Sequence, residues 1–582
     1  MEKIKVKINN REYLANPGQT ILDVARENNI HIPTLCHLKD LTGTGSCRVC
    51  QVEIKGMNKL VASCVYPVAD GMEIKTNSKK ALDARKQILE LIVSNHSKDC
   101  LSCIRNTNCE LQRLCQETGV REDAYAGAKT TPTFDDVAPG IVRDTSKCIL
   151  CGRCVAACQK MQGIGILGFQ NRGFKTKIGP VYDRSFADVN CIQCGQCINV
   201  CPVGALYEKE EIHYVIDALD DPDKYVVVQT APAVRASLGE EFSMPIGTRV
   251  TGKMVSALKL MGFDRVYDTN FGADLTIMEE ANEFINRVKN GGVLPQITSC
   301  SPGWVNYCEM EYPELLDNLS TCKSPHMMLG AMIKSRFADI NNIPKEKIVT
   351  VSIMPCTAKK GEARREENLV DGVQDIDYVL TTRELGKLIK MYGIDFKALE
   401  DEKYDQDLFG EYTGAAVIFG VSGGVMEAAL RTAKDVLEDG DFQQLEYTQV
   451  RGEHGLKEAS IEIAGTVINV AVAHSMKLAK PLLEDIKNGV SKYHFIEIMG
   501  CPGGCVNGGG QSYVPAQIRN SNIDYMTLRA KALYAEDEAQ PVRKSHLNTQ
   551  IQALYKEFLK EPNSDVAHHY LHTHYHKKPR FK

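Results

Sequence analysis

At 582 residues, with 43% hydrophobic and 25% charged side chains, the chain has the composition of a globular protein of roughly three to five domains, which excludes wholesale disorder. Its 69 basic and 74 acidic residues nearly balance, so composition supports neither a nucleic-acid nor a lipid-surface role, and no run reaches the roughly 18 apolar residues of a membrane span. The N-terminus alternates charged and apolar residues without a signal-peptide core, which points to the cytoplasm; thiols stay reduced there, so 22 cysteines are expected as metal ligands rather than disulfides.

In chain order, Lys3–Ile8 alternates at period two with Asn9-Asn10 behind it, predicting a β-hairpin, and Thr20 is placed to cap a helix that starts at Ile21. Cys36, Cys47, Cys50 and Cys64 follow at C-x10-C-x2-C-x13-C, with the loop Thr42-Gly-Thr-Gly-Ser46 before Cys47. One Cys-x2-Cys pair fits zinc or chance. Four cysteines in a small β-rich module with a glycine loop favour a [2Fe–2S] cluster. The segment resembles plant-type ferredoxin domains, although its ligand spacing differs from theirs.

Ser78 is expected to cap a second helix with Ala81, Ala84, Ile88, Leu91 and Ile92 along one face. His96-x3-Cys100-x2-Cys103-x5-Cys109 comes directly after it. A histidine suits a helix C-terminus, but three cysteines need a fourth ligand to close a cubane, and imidazole can replace thiolate at iron. The pattern resembles the His/Cys3 cluster of complex I large subunits and iron-only hydrogenases; Cys115 outside it reads as a buried thiol. Residues 116–147 read as a linker. Two tandem runs then appear, Cys148-x2-Cys151-x2-Cys154-x3-Cys158 and Cys191-x2-Cys194-x2-Cys197-x3-Cys201-Pro202. This is the bacterial ferredoxin pattern written twice, in which the fourth cysteine of each run ligates the other cluster. One [4Fe–4S] set is then Cys148, Cys151, Cys154 and Cys201, and the other Cys191, Cys194, Cys197 and Cys158.

Four such clusters only move electrons, so chemistry is expected further on. Strand candidates at Tyr225–Val228, Val293–Thr298, Lys347–Met354 and Tyr493–Met499 alternate with helical stretches, which argues for α/β layering with parallel sheets and a site at strand C-terminal ends. Three of those ends carry cysteines: Thr298-Ser-Cys300-Ser301-Pro-Gly-Trp304, Met354-Pro-Cys356-Thr-Ala-Lys359, and Met499-Gly-Cys501-x3-Cys505 with the glycines after it. Four cysteines from three loops could hold one more cubane, and Lys359 offers a positive charge to an anionic ligand. Two imitations are set aside. Gly247-x4-Gly252-Lys253 continues with Met254 where a phosphate loop needs Ser or Thr, and Gly414–Gly424 lacks the dinucleotide spacing, so no flavin or NAD site is visible.

Here the chain resembles the iron-only, or [FeFe], hydrogenases over nearly its whole length. The resemblance implies a multidomain α/β protein with N-terminal β-grasp and bacterial-ferredoxin-like modules before a large two-lobed α/β domain. The expected divisions are 1–77, 78–120, 138–210, 220–525 and a small-subunit-like segment, 526–582. It implies an H-cluster: a [4Fe–4S] cubane bridged by Cys505 to a di-iron subsite with CO, cyanide and azadithiolate, with Cys356 and Cys501 also on the cubane. Lys359 would hydrogen-bond a cyanide, Met354 and Met499 would shield the di-iron unit, and Thr230–Arg235 would line the same cavity. Family alignment places Ser301 at the ligand position and Cys300 at the proton-relay position. Thiolate is the better iron ligand, so the expectation is Cys300 on the cubane and Ser301 as the poorer relay, with Cys308 as a lesser alternative. The proton path by resemblance runs through Glu280, Ser320, Glu283 and Arg287.

The implied reaction is reversible H2 oxidation and proton reduction. The Thr-Ser-Cys-Ser-Pro-Gly-Trp variant resembles catalytic subunits of electron-bifurcating complexes, which implies ferredoxin, a flavin- and NAD-binding partner and a small Fe–S subunit. A stand-alone ferredoxin hydrogenase is the alternative. The rivals from another class, a non-catalytic Fe–S electron-transfer subunit or an assembly scaffold, would lack the three cysteine loops or have no use for Lys359 and the Glu280–Glu283 pair.

Overall fold

The computed structural model describes residues 2–581 except 40, 122, 123, 439, 441 and 444. Strands Ile4–Ile8 and Arg11–Ala15 form the antiparallel hairpin, and both turn asparagines take positive φ (48° and 70°), as a two-residue turn matching strand twist requires. Ile4–Ile8 also pairs in parallel with Met72–Lys75, and Gln51–Ile54 and Val61–Ala62 complete five strands. Helix Ile21–Glu27 starts with a reciprocal cap between Thr20 and Asp23 and buries Ile21, Leu22, Val24 and Ala25 against the sheet. This is the β-grasp arrangement.

Ser78 caps helix Lys79–Ser94 through its hydroxyl, but the buried positions are Ala81, Arg85 and Leu89, and Leu91 is exposed. Arg85 turns inward because its guanidinium donates to the carbonyls of Gln51 and Thr76, a contact that apolar periodicity does not register. Residues 116–147 are not simply a linker. The helix begun at Glu110 runs to Thr118 and ends on Gly119 in the left-handed region, and Phe134–Asp135 and Ile141–Asp144 are strands. Ile141–Asp144 pairs antiparallel with Leu206–Glu208, so the two cysteine runs lie between strands of one small sheet.

The larger half has two four-stranded sheets, one in each lobe. Arg265–Asp268, Tyr225–Thr230, Ile348–Met354 and Tyr378–Thr381 are all parallel. Gln296–Ile297, Phe495–Met499 and Thr466–His474 are parallel, with Lys457–Ile463 antiparallel at the edge. The expected strand from Val293 shrinks to two residues because Pro295, lacking an N–H, cannot join the ladder. Beyond helix Tyr525–Ala539 the chain lays Ile551, Leu554, Leu559, Ala567 and Leu571 into the core beside helix Thr269–Asn290. Its last stretch bonds backbone to backbone with Thr321 and Lys323.

Candidate active site and metal centres

The cysteines of the N-terminal module converge. Cys50 and Cys64 thiols stand 3.4 Å apart, and Cys36 and Cys47 contact each other, one held below and one above the ordinary thiol range by the shared proton. Such converging thiols fit a cluster bridged across them. In the next module Cys103 is an electrostatic neighbour of Cys109, and Cys115, expected as a buried thiol outside the motif, is an electrostatic neighbour of Cys109 and Cys100. His96 is half buried, its Nδ1 has no partner, and burial lowers its pKa to about 4, so it presents a neutral imidazole with a free nitrogen.

In the tandem runs, Cys148, Cys151, Cys154 and Cys201 line one cavity together. Cys158, by contrast, is an electrostatic neighbour of Cys191, Cys194 and Cys197. The chain crosses between the two sets because Gly152 and Gly195, both at positive φ, open short helices that carry the later cysteines back.

At the strand ends of the two large sheets the loops converge on one apolar cavity. Ala231, Pro232, Cys300, Ser301, His326, Met354, Cys356, Lys359, Met499, Cys501 and Cys505 line it, whereas Arg235 turns away into buried pairs with Asp268 and Glu536. Burial pushes all four thiols upward, Cys505 to about 12, because an unpartnered thiolate is costly here. A cluster that binds thiolates would relieve that cost. Cys356, Cys501 and Cys505 are one another's neighbours, while the titratable side chain that acts most on Cys300 is Glu280. Ser301 Oγ accepts from the Gly500 N–H at 2.9 Å, beside Cys501. Lys359 Nζ donates to Cys300 O at 3.1 Å and pairs with Glu362 at 2.7 Å. Cys308 is packed in the core with Trp304, its thiol toward the Tyr312 carbonyl, and is not among the cavity residues.

The accessory module reaches this cavity directly. The Cys501 thiol lies 3.8 Å from Cys194 O, and a Cβ on Gly509 would stand 2.2 Å from that same carbonyl. Gln162, Gln196 and Asn199 donate side-chain amides to the carbonyls of Gly500, Asn507 and Gly508. Sequence reasoning missed these three residues. Two sit inside the cysteine runs, where a spacer residue carries no pattern of its own. It also missed Arg383, buried against Glu208 and donating to Gly509 and Gln511 carbonyls, and His326 in the cavity wall. Lys253 of the imitation phosphate loop donates to the carbonyls of Lys397 and Leu399.

Helix Thr269–Asn290 carries both acids. Glu280 is 1% exposed, and burial, reinforced by Glu283, raises its pKa to about 8. Ser320 Oγ donates to Glu283 at 2.6 Å, and Arg287 pairs with the other Glu283 oxygen at 2.6 Å. Arg287 is held by the Leu319 carbonyl, and Ser320 by the Tyr575 hydroxyl on its carbonyl. Glu283, Ser320 and Arg287 are thus joined by hydrogen bonds, while Glu280, one turn earlier on the same helix, has no partner at Oε2 and bears on Cys300 electrostatically.

Comparison with known proteins agrees with this layout. Family models match along the chain: a 2Fe-2S iron-sulfur cluster binding domain (1–79), the NADH-ubiquinone oxidoreductase-G iron-sulfur binding region (85–124) and a 4Fe-4S dicluster domain (147–205). The C-terminal domain of the iron only hydrogenase large subunit follows (224–509), then the iron hydrogenase small subunit (523–578). The chain is 46% identical to the NADP-reducing hydrogenase subunit HndD of Solidesulfovibrio fructosivorans over 100% of both. It is 44% identical to iron hydrogenase 1 of Clostridium pasteurianum over 98% of this chain and 99% of that one. A structure of the [FeFe]-hydrogenase HydA1 of Chlamydomonas reinhardtii superposes with a TM-score of 0.56 at 38% identity, covering 63% of this chain and 99% of that one. End-to-end identity of this order, together with the thiol-lined cavity at the strand ends, means that the chain belongs to the iron-only, or [FeFe], hydrogenases, as a catalytic subunit with accessory iron–sulfur domains.

Proposed function

We propose that this hydrogenase works inside an electron-bifurcating complex, exchanging electrons with NAD(H) and ferredoxin through a flavoprotein partner while it interconverts H2 with protons and electrons. The observation that carries the proposal is identity along the whole chain to a subunit of an NADP-reducing hydrogenase, accessory modules included. Among the described residues no helix is long and apolar enough to cross a membrane. The complex is read as cytoplasmic.

Cys356, Cys501 and Cys505 would hold the H-cluster, whose redox-active irons supply the chemistry that makes or splits the H–H bond. The protein supplies the rest. Lys359 directs an ammonium at an anionic ligand, and Met354 and Met499, both 3% exposed, keep the cavity apolar. Glu283, Ser320 and Glu280 hand a proton inward. The Cys300-Ser301 pair divides the labour: Glu280 as the titratable group that acts most on Cys300 supports Cys300 as the relay thiol, and the seat of Ser301 beside Cys501 supports its hydroxyl at the fourth cubane corner. That reverses the expectation drawn from the affinity of iron for thiolate. Electrons enter through the four accessory sets and arrive by way of the Cys194–Cys501 contact.

The test is anaerobic affinity purification of the chain from its natural host. A co-purifying flavoprotein, and H2 evolution that needs NADH and reduced ferredoxin together, is the expected result. Full activity of the isolated chain with reduced ferredoxin alone would favour the stand-alone hydrogenase instead.

A further inference from the structure

Behind Lys359 lies a buried polar line that the reaction as described does not use. His326 sits at the start of helix Pro325–Met332, is 1% exposed, and forms part of the cavity wall. Its Nε2 is 2.7 Å from Glu362 Oε2, and its Nδ1 is 3.1 Å from the Ser352 hydroxyl. Lys359 Nζ meets that same oxygen, Glu362 Oε2, at 2.7 Å. One carboxylate oxygen thus accepts from an imidazole on one side and an ammonium on the other.

Protonation follows from the surroundings. Burial and the Lys359 charge lower the His326 pKa to about 4, so the ring is neutral. Burial alone would raise Glu362, but Lys359 and the His326 hydrogen bond overcome it and hold the carboxyl at about 2. An ionised Glu362 can only accept, so the imidazole proton sits on Nε2 and Nδ1 accepts from Ser352. The ring is therefore fixed at both nitrogens. Its donation spreads part of the Glu362 charge that would otherwise act on Lys359 alone.

We propose that His326 is a positioning residue: by sharing Glu362 Oε2 it limits the hold of the carboxylate on Lys359 and leaves the ammonium free to donate into the thiol-lined cavity. This rests on the H-cluster reading, in which that cavity holds a cyanide-bearing group. Without the imidazole donor, Glu362 keeps its full charge for Lys359 and draws the ammonium back. The hydrogen bond to the anionic ligand then weakens, and nothing need change in the cubane ligands or the proton path.

The experiment is infrared spectroscopy of anaerobically matured holoenzyme, as wild type, H326Q, H326F, E362Q and the double variant H326F/E362Q. Wild type is expected to show cyanide and CO bands; their absence would sink the H-cluster reading rather than the role of His326. H326F is expected to displace a cyanide band, E362Q to displace it in the opposite direction by releasing the ammonium, H326Q to return it toward the wild-type position by restoring an amide donor, and the double variant to match E362Q alone. Non-additivity identifies a residue that acts through Glu362. A cyanide band that stays in place in H326F, or shifts that add in the double variant, overturns the proposal. If H326F does not fold, H326A takes its place: a band that stays in place in H326A, or that moves in the same direction as in E362Q, overturns the proposal.

Discussion

Glu280→Gln keeps the shape of the side chain and removes the proton that the relay must pass. In the native protein burial holds the Glu280 pKa near 8 against an ordinary 4.5. Between those values the folded state keeps a proton that the unfolded chain has released, so stability falls as pH rises through that window. At about 1.36 kcal/mol per pH unit the cost grows from nothing below pH 4.5 to about 5 kcal/mol at pH 8 and above. Glutamine carries no such cost. The melting-temperature advantage of E280Q over the parent should therefore widen from pH 5 to pH 9, while its turnover falls by about two to four orders of magnitude, the usual worth of a positioned acid–base group. The assay pairs H2 evolution from a reduced dye with thermal unfolding, both at matched iron content and matched infrared intensity of the loaded cluster. Turnover within a few-fold of the parent at equal loading would refute the relay, and a melting difference that does not change with pH would refute the buried, protonated Glu280.

Four further outcomes are expected. S301C should retain the cluster but change its electron paramagnetic resonance spectrum, by putting sulfur at the fourth cubane corner; C300S should leave that spectrum unchanged and lower turnover by about a hundredfold or more, because a hydroxyl titrates far from neutral pH. G509A should slow H2 evolution driven through the accessory clusters more than evolution driven by a small dye, since its Cβ would stand 2.2 Å from Cys194 O and must push the module away; equal losses in both assays would count against this. E110A should destabilise the joint between the His96–Cys109 module and the tandem cysteine runs by about 3–5 kcal/mol, because it strands the fully buried Arg153 that Glu110 pairs at 2.8 Å, and limited proteolysis between residues 110 and 153 reads that loss.

Much of this protein is readable from local pattern, because metal binding and capping are local. Thiolate ligands must be close together in the chain when a loop wraps a small cluster, so Cys191-x2-Cys194-x2-Cys197 announces its chemistry without a fold. Thr20 and Ser78 mark helix starts for the same reason: the orphan backbone N–H groups lie within three residues. The cavity cysteines on three separate loops are legible only from the apolar stretch before each and from the resemblance to a known family. Tertiary structure alone decided what depends on approach from distant chain. Arg85 faces inward because carbonyls of another strand wait there, and Ile141–Asp144 is a strand because Leu206–Glu208 offers it a ladder. His326 meets Glu362, and Glu280 bears electrostatically on Cys300, across elements that no spacing relates. The 22 cysteines point to an iron–sulfur protein by count and spacing, but which groups stand beside each thiol only the packed fold decides, because those groups come from distant parts of the chain.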